Sequence, residues 1–348
     1  MSFIMNTSKF GIPFFCVTIF FIAVILSNLP SSQLLLPSRF IDDQVGNDDD
    51  NDNDNSTNNI TVTSFLQNVY NHKRPSDEFL EGSGIEDYCG SSPDFQSFFS
   101  MVQEENRSRY DEDKIIYEKF FTNNVNIQGT YIELGAFDGK RESNTHFFNA
   151  CLKWKGLLME GNPEKYEQLV ANRPNAHRMN FAPSCPHWNE TVTFYDTIWT
   201  NAGIQGHAQA YDNKSVHNVT VPCGPLGPVI EHGFGFGGKE PDLLPRVNFF
   251  SLDVEGAEKL VLDTIDFSRV QIDILMIEIE NTFCAAETDC EVRKQVRKKM
   301  ADAGYEKHEG IVRASDVYIH PNFENNPFKN NTTATATTTT SRNMRKRR

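Results

Sequence analysis

The stretch 130-TYIELGAFDGKRESNT-145 decides how this chain is read. An apolar run ends in Glu133, and two glycines, Gly135 and Gly139, follow with Asp138 between them. An apolar segment that stops at a glycine-containing turn is the pattern of a first strand opening a nucleotide-binding sheet. A dinucleotide site wants three glycines, so that backbone amides can approach a pyrophosphate at a helix N-terminus. Here there are two, carboxylates flank them, and no GxxxxGK[ST] loop exists in the chain. A carboxylate beside a diphosphate is electrostatically wrong without a metal, but it suits a cationic nucleoside that carries no phosphate. The turn therefore predicts S-adenosylmethionine, with Glu133 and Asp138 supplying the negative charge and NAD and NADP rejected. A second reading of Glu133, as a carboxylate holding backbone amides of the turn, is compatible with the first.

The next strand supplies a partner. In 156-GLLMEG-161, Glu160 lies 21 residues beyond Gly139 at a strand end, where a carboxylate can accept both ribose hydroxyl hydrogens. The bland alternative is a solvated strand-end acid. Asn162 and Pro163 then read as the N-cap and first position of a helix to about Ala171. Before the first strand, 113-DKIIYEKFF-121 has apolar residues at helical spacing. Further strands are expected near 176–181, 191–195, 247–254, 273–280, 305–311 and 315–320, with helices at 256–265 and 290–303, the last stopping at Gly304. Strands alternating with helices predict an α/β, Rossmann-like doubly wound sheet whose final strand is antiparallel. Residues 200–245, rich in Gly and Pro, read as a long exposed insertion. Within it, 233-GFGFGG-238 is a loop rather than a phosphate cradle, and His207 and His232 are solvent-exposed or part of a substrate lid.

The 348 residues carry a formal charge of −14, which argues against wrapping nucleic acid. Residues 11–27 are uncharged and mostly apolar, and residues 11–28 are expected to form a single signal anchor behind a short N-terminus, 1–10, on the cytosolic side. Cleavage as a signal peptide is the alternative. Residues 29–105 read as an acidic stem and pre-domain region, 106–322 as the folded domain, and 323–348 as a Thr-rich basic tail. The run 42-DDQVGNDDDNDNDN-55 is no calcium loop, because Asn59 rather than Glu occupies the twelfth position from Asp48. Sequons at Asn55, Asn59, Asn106, Asn189, Asn213, Asn218, Asn330 and Asn331 point to the lumen of the endoplasmic reticulum or Golgi. So does an even set of six cysteines beyond the anchor: 89, 151, 185, 223, 284 and 290. Cys284 and Cys290, which close a short polar loop, are the pair legible by spacing. Buried thiols in a cytosolic domain are the competing reading.

Four stretches, 113-DKIIYEKFF-121, 131-YIELGAFDGKRESNT-145, 154-WKGLLMEGNPEKYEQL-169 and 249-FFSLDVEGAEKLVL-262, resemble the FkbM-type methyltransferase family, in its eukaryotic branch that includes the insect Star protein. The chain departs from the family at 108-SRYDED-113, where Ser-Gln-x-Gly-Gln-Asp is common, and at 160-EGNP-163, where Glu-Pro-Asn-Pro is. The resemblance implies a class I fold that transfers a methyl group from S-adenosylmethionine to a hydroxyl of a glycan or another acceptor. Cofactor contacts are expected from Glu133, Gly135, Ala136, Asp138, Gly139, Asn144, Thr145, Glu160, Asn162 and Asp253. Asp253 and Glu255 are the expected catalytic acids, one of which takes the hydroxyl proton. Both also suit the cap of the helix that begins near Gly256. No metal is expected, because no third ligand accompanies those two acids. The alternative function is a non-enzymatic, membrane-anchored trafficking protein that binds cargo with the same fold.

Overall fold

The computed structural model describes residues 89, 95–122, 128–196, 202–207, 217–232, 244–279 and 291–329. Outside these lie the expected anchor and stem, the pair Cys284 and Cys290, the 233–238 loop, most of the tail, and the sequons at Asn55, Asn59, Asn213, Asn330 and Asn331. No helix among the described residues is long and apolar enough to cross a membrane.

Among the described residues, ten strands and seven α-helices run in this order: α1 Phe95–Met101, α2 Glu112–Ile116, β1 Thr130–Leu134, α3 His146–Ala150, β2 Lys155–Glu160, α4 Pro163–Asn172, β3 His177–Asn180, β4 Glu190–Asp196, β5 Gly203–Ile204, β6 His217–Cys223, α5 Gly227–His232, β7 Arg246–Leu252, α6 Glu258–Asp263, β8 Gln271–Glu278, α7 Glu291–Asp302, β9 Glu306–Val312 and β10 Ser315–Ile319. Seven strands form one sheet in the order β3-β2-β1-β7-β8-β10-β9. Pairing is parallel from β3 through β8, and β10 runs antiparallel to both its neighbours. This is the mostly parallel sheet with an antiparallel last strand that the alternation of elements predicts.

Strand alternation divides the core. Ile132, Leu134, Leu157, Met159, Phe250, Leu252, Leu275 and Ile277 point to one face, where Val229 and Ile230 of α5, Val261 and Leu262 of α6, and Val296 and Met300 of α7 cover them. The residues between them, Tyr131, Leu158, Phe249, Ile274 and Met276, point to the other, under α1 to α4. Both faces are covered, so β1, β2, β7 and β8 are nearly continuous apolar runs. Phe98 and Val102, before the expected domain start, and Phe323, after its expected end, are buried in that second cluster.

Two expectations need correction. The strand at 191–195 does not extend the main sheet. Its residues lie in β4, which pairs antiparallel with β5 and β6 in a separate three-stranded sheet. Nor is 200–245 merely an exposed loop: Val221, Cys223, Leu226, Val229 and Ile230 within it are fully buried. The period-two alternation of 217-HNVTVPC-223 is diluted by Asn and Pro, which hid the strand. Two disulfides, Cys89–Cys151 and Cys185–Cys223, brace this architecture. The second ties the chain after β3 to the end of β6, beside the bridge of Ala182 to Cys223. Peptide mapping without reductant should recover both pairs. Cys223→Ser should lower the unfolding free energy by about 2–4 kcal/mol, read by denaturant titration.

Candidate active site

The parallel strands end side by side above a cleft enclosing about 1230 Å³ of atom-free space, its open mouth included. Gly135 sets its floor. Its φ is +78°, and a Cβ there would fall 1.9 Å from the carbonyl oxygen of Asp253, so only glycine lets the two strand ends come this close. The N–H groups of Gly135 and Ala136 donate to the carbonyl of Met159 at 3.2 and 3.1 Å, which continues the sheet into the turn.

The turn itself is held from behind. Glu133 is 3% exposed, and it accepts from Ser143 Oγ at 2.9 Å, the Asn144 N–H at 2.7 Å and Thr145 Oγ1 at 2.5 Å. Ser143 and Thr145 in turn receive hydrogen bonds from Arg173, which also donates to Gly139 O, Tyr131 OH and Asn149 Oδ1. Arg173 is only 2% exposed. Burial raises the Glu133 carboxyl from its ordinary value, and the Arg173 charge and the three donors oppose the rise. Asp138 accepts from the N–H groups of Lys140 and Arg141 at 2.9 and 2.7 Å and closes its own turn.

These bonds sort the expected residues. Gly135, Asn144, Glu160, Asn162, Asp253 and Glu255 line the cleft. Glu133, Ala136, Asp138, Gly139 and Thr145 are not part of its wall. Turn amides and hydroxyls hold both oxygens of Glu133, and two turn amides hold Asp138 Oδ1, so the negative charge on the cleft wall comes from other acids. The acids that do face the cleft are Glu112, Glu142, Glu160, Asp253, Glu255 and Glu278. Glu160 is buried at the end of β2 and accepts from the N–H groups of Phe137 and Asn162, each at 2.7 Å. Asn162 caps α4 by accepting from Glu164 and Lys165 N–H, as its place before Pro163 predicts. Asn144 Nδ2 donates to Ser251 Oγ at 3.0 Å, while its Oδ1 is buried with no hydrogen-bond partner.

Asp253, Glu255 and Glu278 each place an oxygen within 4.8 Å of the other two. The register makes this inevitable for two of them: Leu252 pairs with Ile277 in neighbouring parallel strands, so the next residues, Asp253 and Glu278, emerge together. The expectation of no metal rested on the lack of a third acid, and Glu278 is that third acid. Burial, then the charge of Asp253 and a hydrogen bond to it, holds the Glu278 carboxyl far above the usual carboxylate range. A protonated carboxyl beside an ionised one is the stable state of such a pair. Glu255 adopts φ 56°, in the left-handed region, at the turn into α6. Neither Asp253 nor Glu255 is the N-cap of α6, a place taken by Ala257 without a side-chain cap bond; buried Glu258 instead accepts from Val254 and Gly256 N–H and holds the turn before the helix. Glu112, Glu278 and Arg173 escaped sequence reasoning. The one available signal was that β1, β2, β7 and β8 all carry an acid at or just beyond their C-terminal ends.

Two buried carboxyls make the fold sensitive to pH. Burial pushes Asp113, which accepts from Ser108 Oγ and Lys114 N–H, up to about 7, and burial does the same to Glu258. Each binds its proton more tightly folded than unfolded. The stability this contributes is fully present below the unfolded value near 4 and is lost as pH rises through about 7. The melting temperature should fall between about pH 5 and pH 8, and Asp113→Asn should flatten the slope. A midpoint that climbs over the same window would contradict this placement of the protons.

Among known proteins, the methyltransferase FkbM domain model matches residues 133–307. No curated protein matches the chain. Solved structures with detectable likeness include the Aeropyrum pernix fibrillarin in complex with natively bound S-adenosyl-L-methionine, 12% identical at a TM-score of 0.31 over 59% of this chain and 72% of that one. Another is the precorrin-6y C5,15-methyltransferase of Geobacter metallireducens, 11% identical at 0.30 over 63% and 90%. A third is an S-adenosylmethionine-dependent methyltransferase of Aquifex aeolicus, 8% identical at 0.30 over 65% and 96%.

Proposed function

This chain belongs to the methyltransferase FkbM domain family, and on that premise we propose that it methylates a hydroxyl of an acceptor with S-adenosylmethionine. The observation that carries the reading is the chemistry of the cleft wall, which is rich in hydrogen-bond acceptors and negative charge. The orphaned, buried Asn144 Oδ1 awaits a donor such as an ammonium group. Glu160, a buried carboxylate on the cleft wall at the end of β2, suits a pair of ribose hydroxyls. S-adenosylmethionine supplies a methyl group activated by a sulfonium. The chain's own work is to bind that cation among acceptors, to hold the acceptor hydroxyl in line, and to take up its proton. Asp253 is the proton acceptor in this reading, oriented by Glu278 beside it, with Glu255 on the other side. The finer assignments, to an oxygen acceptor such as a glycan and to the branch containing Star, belong to the same proposal.

S-adenosylmethionine and S-adenosylhomocysteine should each raise the melting temperature, while NAD and NADP leave it unchanged. Glu160→Ala should weaken S-adenosylmethionine binding by about 1.5–3 kcal/mol in calorimetry, the range for hydrogen bonds to a charged group. Stabilisation by NAD alone overturns the methyltransferase reading, and stabilisation by none of the four turns it toward the cargo-binding alternative.

We further propose that the domain works in the secretory lumen, held by residues 11–28. Two disulfides support this, as do the exposed sequons at Asn189, just before β4, and Asn218, in β6. Endoglycosidase treatment of the protein from glycosylating cells should increase its gel mobility, and Asn189→Gln with Asn218→Gln should reduce that shift. An unchanged band would place the domain elsewhere.

A further inference from the structure

The cleft is built from two different parts of the chain. The end that holds Glu160 and Asn162 lies inside the family domain, residues 133–307. The opposite end is lined by Arg109 and Tyr110 before α2, by Glu112 at its start, and by Ala314 and Ser315 where the β9–β10 turn enters β10, all outside that span. Ser315 pairs with Glu278 across β10 and β8, so the turn stands directly beside the acid group. The Asp253 charge is also felt by Glu112. This end lies next to the proposed proton acceptor.

At its rim two cations converge on one ring. The guanidinium carbon of Arg313 lies 4.4 Å from the centroid of Tyr110, and that of Arg109 lies 5.3 Å from it. Both arginines are exposed, in a chain whose net charge is −14 and above a floor of carboxylates. The ring positions the guanidinium groups, and a guanidinium fork matches the oxygens of a carboxylate, sulfate or phosphate ester. The acids below repel such a group, so an anion is favoured at the rim and disfavoured in the depth.

We propose that Arg109, Tyr110 and Arg313 form the acceptor-binding lip and that the acceptor is an anionic, hydroxylated molecule. Its charged group rests on the lip and its neutral hydroxyl reaches inward to Asp253. The opposed charges of rim and floor fix this orientation, and no neutral acceptor gains as much from them. The inference rests on the methyltransferase reading for the fate of the hydroxyl, but not for the binding of the anion.

Calorimetry of the full chain with S-adenosylhomocysteine present tests it, with glucuronic acid, glucose 6-sulfate and glucose 6-phosphate as probes and glucose as the neutral control. At least one charged sugar should bind about tenfold or more tightly than glucose, less so as salt is raised. Replacing both exposed arginines, Arg109→Ala with Arg313→Ala, should abolish that preference while S-adenosylmethionine binding is kept. Equal binding of all four sugars overturns the lip, as does a preference that survives the double substitution. A preference that the substitutions remove, in a protein that binds no S-adenosylmethionine, upholds the lip and sinks the methyltransferase reading instead. Of the three charged probes, the tightest identifies the anion.

Discussion

A single buried guanidinium organises the ligand turn. Arg173 closes the C-terminal end of α4, yet its charge is delivered beneath β1, where it donates to Gly139 O, Tyr131 OH and the hydroxyls of Ser143 and Thr145. Those hydroxyls stand between it and the Glu133 carboxylate. An ion pair mediated in this way satisfies two buried charges and orders the backbone from 139 to 145 as it does so. Asn144 therefore reaches the cleft with a fixed side chain. Arg173 also fills the space beside Gly139, where a Cβ would lie 2.7 Å from its Cγ. The turn's shape is set from behind, by residues outside the cleft wall.

The acidity of the cleft is a product of topology. Parallel strands bring their C-terminal ends to one line, so an acid at or just beyond each end accumulates with its neighbours instead of dispersing. β2 contributes Glu160, the turn after β7 contributes Asp253 and Glu255, and β8 contributes Glu278. Backbone amides relieve Glu160. Asp253 and Glu278 emerge side by side, and burial together with the Asp253 charge favours a protonated Glu278. Charge in this cleft is thus divided between a hydrogen-bonded carboxylate at one end and a proton-sharing group at the other.

The residues legible in the sequence were those whose signal is local. The β1 run, the Asn162 and Pro163 cap, the acid at the end of β2 and the stop at Gly304 each follow from neighbours in the chain. The turn was legible in outline, and the second reading of Glu133, as a holder of turn amides, matches its hydrogen bonds. What escaped depends on partners distant in sequence. Arg173 reads as an ordinary helix-end cation until Tyr131 is found 42 positions away at 2.8 Å. Glu278 reads as the edge of an apolar strand until β7 is laid beside it. Asp138 misled because a carboxylate between two glycines looks free, although its amide partners sit two and three residues on. The disulfides Cys89–Cys151 and Cys185–Cys223 join segments 62 and 38 residues apart, beyond what spacing reveals.

The antiparallel placement of β10 has its own consequence. The parallel strands arrive at the cleft at their ends, where a helix must follow and the connection has to return across the sheet. β10 arrives at its beginning, straight from the short turn after β9, and its first residue is already paired with Glu278. A hairpin tip tolerates changes of length and composition that a crossover does not, because no packed helix depends on it. The rim at 313–314 can therefore be redrawn without moving the turn that begins at Gly135. The fold thus separates a half fixed by its crossovers from a half that a hairpin alone supports, and the second can change without disturbing the first.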